Sequence, residues 1–185
     1  MGPLLRRACA VAVVATLGAG VSAAATVPAA VQDAVHGRVA GWASTPGGYV
    51  AVYLDHAGRG WCGLEGANWW LGVVNTGAQR LSSSLRIGSA MCGNSLAWVK
   101  EGRFSDGRHP EVAFMLWTTP SIGATTYVYR IDGSRLVKLG SFPGDKITLG
   151  RGTITASFEN AGRNPDGKIR EIYRFAGDRY RLVGG

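Results

Sequence analysis

The sequence predicts an all-β fold, on three observations. Apolar and polar residues alternate with period two along most recognisable segments, as expected for half-buried strands. These segments are rich in valine, isoleucine, threonine, tyrosine and tryptophan, which pack well on a pleated sheet. The 28 glycines lack a three-residue period, which excludes collagen and favours many turns. We expect a small antiparallel sandwich, an open curved sheet or a partial propeller built from strand-turn-strand repeats.

Six segments carry the strand pattern, and glycine-bearing turns separate them. The segments are residues 48–54, 69–75, 112–117, 125–131, 153–158 and 169–175. The turns are Thr76-Gly77, Asp132-Gly133, Pro143-Gly144, Asp166-Gly167 and Ala176-Gly177. Residues 29–36 carry a weak helical pattern.

The N-terminal residues 1–25 have the pattern of a signal peptide. Arg6 and Arg7 precede an apolar stretch too short to span a bilayer comfortably, and small residues follow it at a predicted cleavage site after Ala25. Cleavage after Ala23 or Ala30 is an alternative. The segment could instead be retained as a membrane anchor. After removal of this segment we expect no membrane span. We expect the mature chain 26–185 to be one domain that is secreted or associated with the cell wall, with a division into sub-units at 35–100 and 101–185 as an option.

Two cysteines remain in the mature chain, Cys62 and Cys92. In an oxidising compartment a lone pair of cysteines predicts one disulfide. The alternative is a reactive or metal-binding thiol. His56 lies near Cys62 in the sequence, but nothing nearby completes such a site.

An internal repeat links two parts of the C-terminal half. Residues 129–135 recur at 173–179, and each copy combines a strand that contains Tyr-Arg, a tight glycine turn and a returning strand. Residues 73–81 are a fainter copy. Repeats of 40–50 residues are typical of propeller blades and related sheet units. The chain holds at most three such units, and a complete propeller needs four or more blades.

The segment from Asp106 and Gly107 to Glu111 leads into a predicted strand. It resembles the Asp-Gly-x-x-Glu signature of FG-GAP/VCBS-type repeats in exported bacterial proteins, and the resemblance covers about residues 102–183. Full motifs of that family supply enough oxygen ligands for calcium. Here Arg103 stands where the leading acidic residue would be, and one ligand position is missing. We therefore expect no metal, with Asp106 forming an Asx-type turn and Glu111 pairing with a neighbouring arginine.

All six tryptophans lie between residues 42 and 117. Adjacent Trp69 and Trp70 must point to opposite faces of a strand, so we expect one ring in the core and the other as a candidate binding residue. Trp61, beside Cys62, is the best candidate for an exposed ring. Such rings bind sugar faces or protein partners, and the alternative is that they fill a glycine-rich core.

The C-terminal part of the chain is basic. From Arg130 onward there are eleven basic and six acidic residues. Arg170 and Arg174 share a face by strand parity, and Arg130 joins them if the two repeat copies pack in one sheet. We expect this face to bind an anionic wall polymer in a salt-sensitive manner. The positive charge would also suit nucleic acid as a ligand. Predicted export and the lack of a known nucleic-acid-binding motif argue against nucleic acid.

The three histidines are dispersed, and no zinc or nucleophile motif is present. We therefore expect a monomeric, non-catalytic domain without cofactor, which binds a cell-wall polymer, a glycan or an extracellular protein. The alternatives are a structural or inhibitory accessory protein and a hydrolase with a site assembled across strands.

Overall fold

The computed structural model describes residues 26–119, 123–160, 162, 164 and 167–185, and the predicted signal segment lies outside these residues. Within the described part, one short helix precedes twelve β-strands in three antiparallel sheets. None of these sheets closes into a barrel. The predicted all-β fold is confirmed, and its form is an open stack of sheets.

Each sheet is a four-stranded meander of consecutive strands. Sheet I follows helix α1 (Ala29–Ala34) and contains β1 (Arg38–Thr45), β2 (Gly48–Leu54), β3 (Asn68–Asn75) and β4 (Arg80–Ser89). Sheet II contains β5 (Ser95–Gly102), β6 (Glu111–Thr119), β7 (Gly123–Asp132) and β8 (Arg135–Pro143). Sheet III contains β9 (Lys146–Gly150), β10 (Thr153–Ser157), β11 (Arg170–Ala176) and β12 (Arg179–Gly184).

Sheet II forms the centre of the stack, and both of its faces are covered. Alternate residues of β6, such as Phe114, pack with the inner face of sheet I, including Val52 and Leu71. The intervening Ala113 belongs to the core that sheet II shares with sheet III. Burial on both faces explains why residues 112–116 are apolar without interruption, since only one-sided strands need polar alternation.

The two outer sheets end the stack differently. Helix α1 covers the outer face of sheet I, where Val31 and Ala34 pack with Ala51 and Tyr53. Sheet III meets sheet II through an aromatic cluster, in which the Phe142 ring lies 4.8 Å from that of Tyr173 and 5.4 Å from that of Tyr180. Side chains on the opposite face of sheet III, such as Thr148, Arg174 and Arg181, are exposed, so this face is open to solvent in the described part of the chain.

The six predicted strands are all strands, and residues 29–34 of the predicted helical segment form α1. Strands β1, β4 and β5 carry no recognised pattern because serine, glycine, alanine and charged residues interrupt their apolar positions. The predicted sub-units 35–100 and 101–185 do not match the sheets. Strand β5 pairs with β6 and therefore belongs to sheet II.

The similar segments of the sequence all form β-hairpins. The two copies are the β7–β8 and β11–β12 hairpins, the third and fourth strands of sheets II and III, and the fainter copy is the β3–β4 hairpin of sheet I. Gly133 and Gly177 occupy the same turn position, with φ angles of 58° and 71°. A positive φ at the first loop residue only is the pattern of a type II′ turn.

Cys62 and Cys92 form the predicted disulfide, with their Cα atoms 5.6 Å apart. It joins the β2–β3 loop to the β4–β5 connection, and Cys62 packs against the core between sheets I and II. The disulfide indicates an oxidising environment for this chain.

No helix among the described residues is long and apolar enough to cross a membrane.

Alanine at either repeat glycine should destabilise the fold by about 1–2 kcal/mol, because the left-handed conformation is unfavourable for a residue with a Cβ. At both positions an added Cβ would meet no atom within 4 Å, so the backbone angle alone causes the effect. Urea unfolding of Gly133→Ala and Gly177→Ala measures it. Gly47 also has space for a Cβ but has no positive φ, so Gly47→Ala is the matched control and should be neutral. Equal effects at all three glycines would refute the shared turn geometry.

Removing the disulfide should destabilise the oxidised protein by about 3–4 kcal/mol, since it closes a loop with a sequence separation of 30. The paired Cys62→Ser/Cys92→Ser variant should therefore melt roughly 10 °C lower. Thiol labelling of the mature protein without reductant should detect no free cysteine. Stoichiometric labelling, or a melting temperature unchanged by the double substitution, would contradict the pairing.

Candidate binding surfaces

The open face of sheet III carries five exposed basic side chains and forms what we call the cationic face. The strand register places Lys146, Ser157 and Arg170 in one cross-strand row, and Thr153, Arg174 and Arg181 in another. Arg179 lies on the same face, opposite Ala176. None of the strand residues on this face is acidic. The members of the cationic face are Lys146, Arg170, Arg174, Arg179 and Arg181.

Arg174 and Arg181 lie directly opposite each other on neighbouring strands. Like charges in this position destabilise a sheet. The Arg179 guanidinium lies 3.7 Å from the exposed carboxylate of Asp178. Among the described residues, Arg170, Arg174 and Arg181 make no ion pair. Three of the five cations on this face are thus without an ion-pair partner among the described residues.

The structure places only two of the three predicted arginines together. Arg170 and Arg174 share the cationic face, as strand parity predicts, and Glu171 is buried on the opposite face. Arg130 lies in β7 of sheet II, opposite Glu111, and its Nε atom is buried without a hydrogen-bond partner in the described structure. Because the two repeat copies occupy different sheets, Arg130 does not join the face. Sequence reasoning missed Lys146, Arg179 and Arg181, although residues 179 and 181 also alternate.

The predicted tryptophan candidates have three different environments. Trp69 is buried in the core between sheets I and II. Trp70 is half-buried, and its Nε1 donates a hydrogen bond of 3.2 Å to Asp55. Trp61 is 90% exposed. As expected for neighbours in a strand, Trp69 points into the core and Trp70 points away from it. Trp61, the best candidate for an exposed ring, is exposed.

The loop that carries Trp61 is fastened at its base. Asp55 accepts hydrogen bonds from the Asn68 backbone N (2.9 Å) and Nδ2 (2.8 Å), and its backbone N donates to the Asn68 carbonyl. Burial opposes ionisation of Asp55, but the bonds from Asn68 and Trp70 hold the pKa of its carboxyl well below the usual range. His56 Nδ1 lies 2.7 Å from the same carboxyl.

The Asp106–Glu111 loop differs in part from its predicted geometry. Asp106 Oδ1 accepts from the Arg108 backbone N at 2.8 Å, which confirms the Asx-type turn. The predicted pairing of Glu111 with an arginine is wrong. Its carboxylate is fully buried and accepts from the backbone N–H groups of Phe104 (2.8 Å) and Ser105 (2.9 Å), and from the Ser105 hydroxyl. Burial raises the pKa of Glu111, although these hydrogen bonds act in the opposite direction.

A second copy of this motif precedes β11. Residues 166–171 repeat the Asp-Gly-x-x-x-Glu spacing of residues 106–111, which has one residue more than the Asp-Gly-x-x-Glu signature, and sequence reasoning missed this second copy. Gly107 and Gly167 both have positive φ, and both motifs end in a buried glutamate. Glu171 accepts a hydrogen bond of 3.1 Å from the Asn164 side chain. Asp106, Glu111 and Glu171 thus have structural partners inside the protein.

A cleft of about 330 Å³ opens where sheets I and II meet, between the β1–β2 turn, Pro110 and the β7–β8 turn. Its polar lining side chains are Thr45, Asn75, Ser82 and Ser134, and none of its lining residues is titratable. Within the described residues, no three histidine, cysteine, aspartate or glutamate side chains are grouped to hold a metal ion.

Comparison of the chain with protein-family models, with curated proteins and with solved structures finds no match.

Replacing Glu111 by glutamine should alter the pH dependence of stability. The pKa of Glu111 is raised in the folded protein, so folding favours the protonated side chain. The stability that Glu111 contributes to the folded state is therefore full below its unfolded-state pKa, and it is lost as pH rises through its folded-state pKa. Glutamine still accepts the two backbone hydrogen bonds and does not ionise. Glu111→Gln should therefore gain stability relative to wild type between about pH 4 and pH 7.

Urea unfolding of both proteins at the two pH values measures this difference. Glu111→Ala is the contrast, because it leaves the Phe104 and Ser105 N–H groups without an acceptor. It should destabilise at both pH values by about 2 kcal/mol. A glutamine variant that loses stability relative to wild type as pH rises would contradict the assignment.

Proposed function

We propose that this chain is an exported, non-catalytic β-domain that binds an anionic extracellular polymer through the cationic face. The observation that carries the proposal is the array of exposed arginines on the uncovered face of sheet III, with Arg174 and Arg181 opposed across two strands. A bound anion between opposed guanidinium groups would convert their repulsion into two attractive contacts.

The spacing of the cations suits an extended ligand. Arg170 and Arg174 are four residues apart on β11, which corresponds to about 13 Å along the strand. Lys146 lies two strands from Arg170 in the same row, a separation of about 10 Å. One small anion cannot reach all of these positions, whereas a polymer with repeated phosphate or carboxylate groups can. Exposed single ion pairs contribute little, so several contacts must act together.

Predicted export and the disulfide support an extracellular polymer as the partner. The disulfide indicates an oxidising compartment, and the predicted signal segment 1–25 would deliver the chain there. The resemblance of residues 102–183 to FG-GAP/VCBS-type repeats stays a prediction that agrees with export.

Binding to immobilised polyphosphate and to a carboxylate polymer tests the proposal. We expect the protein to be retained at about 0.1 M salt and released at about 1 M salt. The Debye length, over which exposed charges attract each other, falls from about 10 Å to about 3 Å between these concentrations. Arg170→Ala/Arg174→Ala/Arg181→Ala should weaken binding at low salt by about tenfold or more. The matched control is Arg38→Ala/Arg80→Ala/Arg135→Ala, which removes the same charge from exposed positions of sheets I and II.

Two outcomes would contradict the proposal. One is equal loss of binding in the two triple variants, which would show that net charge alone attracts the polymer. The other is retention that high salt does not change, which would exclude an electrostatic interaction. Circular dichroism of each variant checks that the sheets remain folded.

A further inference from the structure

Trp61 is displayed at the tip of a small, closed hairpin, residues 59–65. Arg59 and Glu65 exchange two backbone hydrogen bonds, of 2.8 and 3.1 Å. The Gly63 N–H donates to the Gly60 carbonyl at 3.2 Å, so Trp61 and Cys62 are the central residues of a tight turn. Gly60 and Gly63, with φ angles of 76° and 65°, allow this turn.

The hairpin is fixed to the protein at three places. Cys62 is bonded to Cys92, Leu64 is buried in the core between sheets I and II, and Asp55 is bonded to Asn68 at the loop base. The 90% exposed indole of Trp61 is therefore not a side chain on a loose loop. Its backbone is ordered before any ligand arrives, which lowers the entropic cost of binding.

A carboxylate accompanies the indole on the same hairpin. A Cβ added to Gly60 would lie 2.4–2.6 Å from the carboxylate of Glu65, which shows that this carboxylate rests against the Gly60 backbone, next to Trp61. The Glu65 side chain is exposed and makes no hydrogen bond or ion pair with the described residues. Its oxygens are available to accept hydrogen bonds from a ligand. Arg59, opposite Glu65 in the backbone bridge, is also exposed and can donate.

We propose that Trp61, Glu65 and Arg59 form a site for a neutral, gluco-configured glycan. The axial C–H groups of such a sugar make an apolar face that suits an exposed indole. Its equatorial hydroxyls donate to the Glu65 carboxylate and accept from Arg59. The Glu65 carboxylate and the Arg59 guanidinium together carry no net charge, so the site does not favour an anionic ligand as the cationic face does. The site thus differs in location and in chemistry from the cationic face, and it does not depend on the proposed function.

Heteronuclear NMR of the indole N–H groups tests this proposal at the level of single tryptophans. The probes are a chito-oligosaccharide and a cello-oligosaccharide, titrated into the protein at about 1 M salt, where binding to the cationic face is screened. We expect a saturable shift of the Trp61 indole signal with a Kd of about 1 mM or below. The buried Trp69 should not respond.

Three variants define the contacts. Trp61→Ala should weaken binding at least about tenfold, and Trp61→Phe should restore part of it. Glu65→Gln keeps one acceptor and should weaken binding less than Glu65→Ala. Ile169→Ala removes another exposed apolar side chain, 66% exposed just before β11, and should have no effect. Because Trp61 is exposed, its substitution should leave the melting temperature unchanged.

The proposal is overturned if neither oligosaccharide shifts the Trp61 signal up to about ten times the expected Kd. It is also overturned if Trp61→Ala binds as wild type does. Binding of purified cell-wall material through Trp61 that survives glycan digestion but not protease treatment would show a protein partner, and would also overturn it. Loss of polyphosphate binding in the Arg170/Arg174/Arg181 variant, with oligosaccharide binding retained, would show that the two surfaces act separately.

Discussion

Burial of sheet II on both faces is the constraint on which the rest of the structure depends. Strand β6 has apolar side chains on both sides, so Phe114 packs toward sheet I and Ala113 toward sheet III. A two-sided strand cannot be stable unless both neighbours are present. Sheets I and III are therefore needed on either side of it, and the stack must end at their outer faces. Helix α1 closes one end, while the other end remains open and basic.

This asymmetry separates two kinds of surface. The cationic face belongs to regular strands, whose register sets the spacing of its charges. The hairpin around Trp61 is irregular and is held by a disulfide, one buried leucine and the Asp55–Asn68 hydrogen bonds at its base. The cationic face suits a ligand of complementary charge. The hairpin around Trp61 suits a ligand that fits its shape and stacks on the indole ring. A domain with both would attract a charged polymer from a distance and select a neutral sugar at close range.

Much of the fold could be predicted from local patterns, and the parts that could not depend on tertiary contacts. The alternation of side chains along a strand predicts that Arg170 and Arg174 lie on one face, as they do. The preference of tight turns for glycine predicts the turn positions of Gly133 and Gly177. The position of Arg130 depended on whether two hairpins share a sheet, which no local pattern reveals. The role of Glu111 depended on N–H groups that the loop directs toward it. Its repeated spacing at Glu171 was visible in the sequence and would have indicated a structural role.

The most direct test of the central claim is to observe the arginine side chains themselves. The Nε–H signals of arginine, recorded by NMR while polyphosphate is added at about 0.1 M salt, report on each guanidinium. We predict that Arg170, Arg174 and Arg181, which lie exposed on sheet III, shift together with one apparent affinity. Arg38, Arg80 and Arg135, which are exposed on sheets I and II, should remain unchanged. Equal shifts in both groups, or no shift on sheet III, would contradict a binding role for the cationic face.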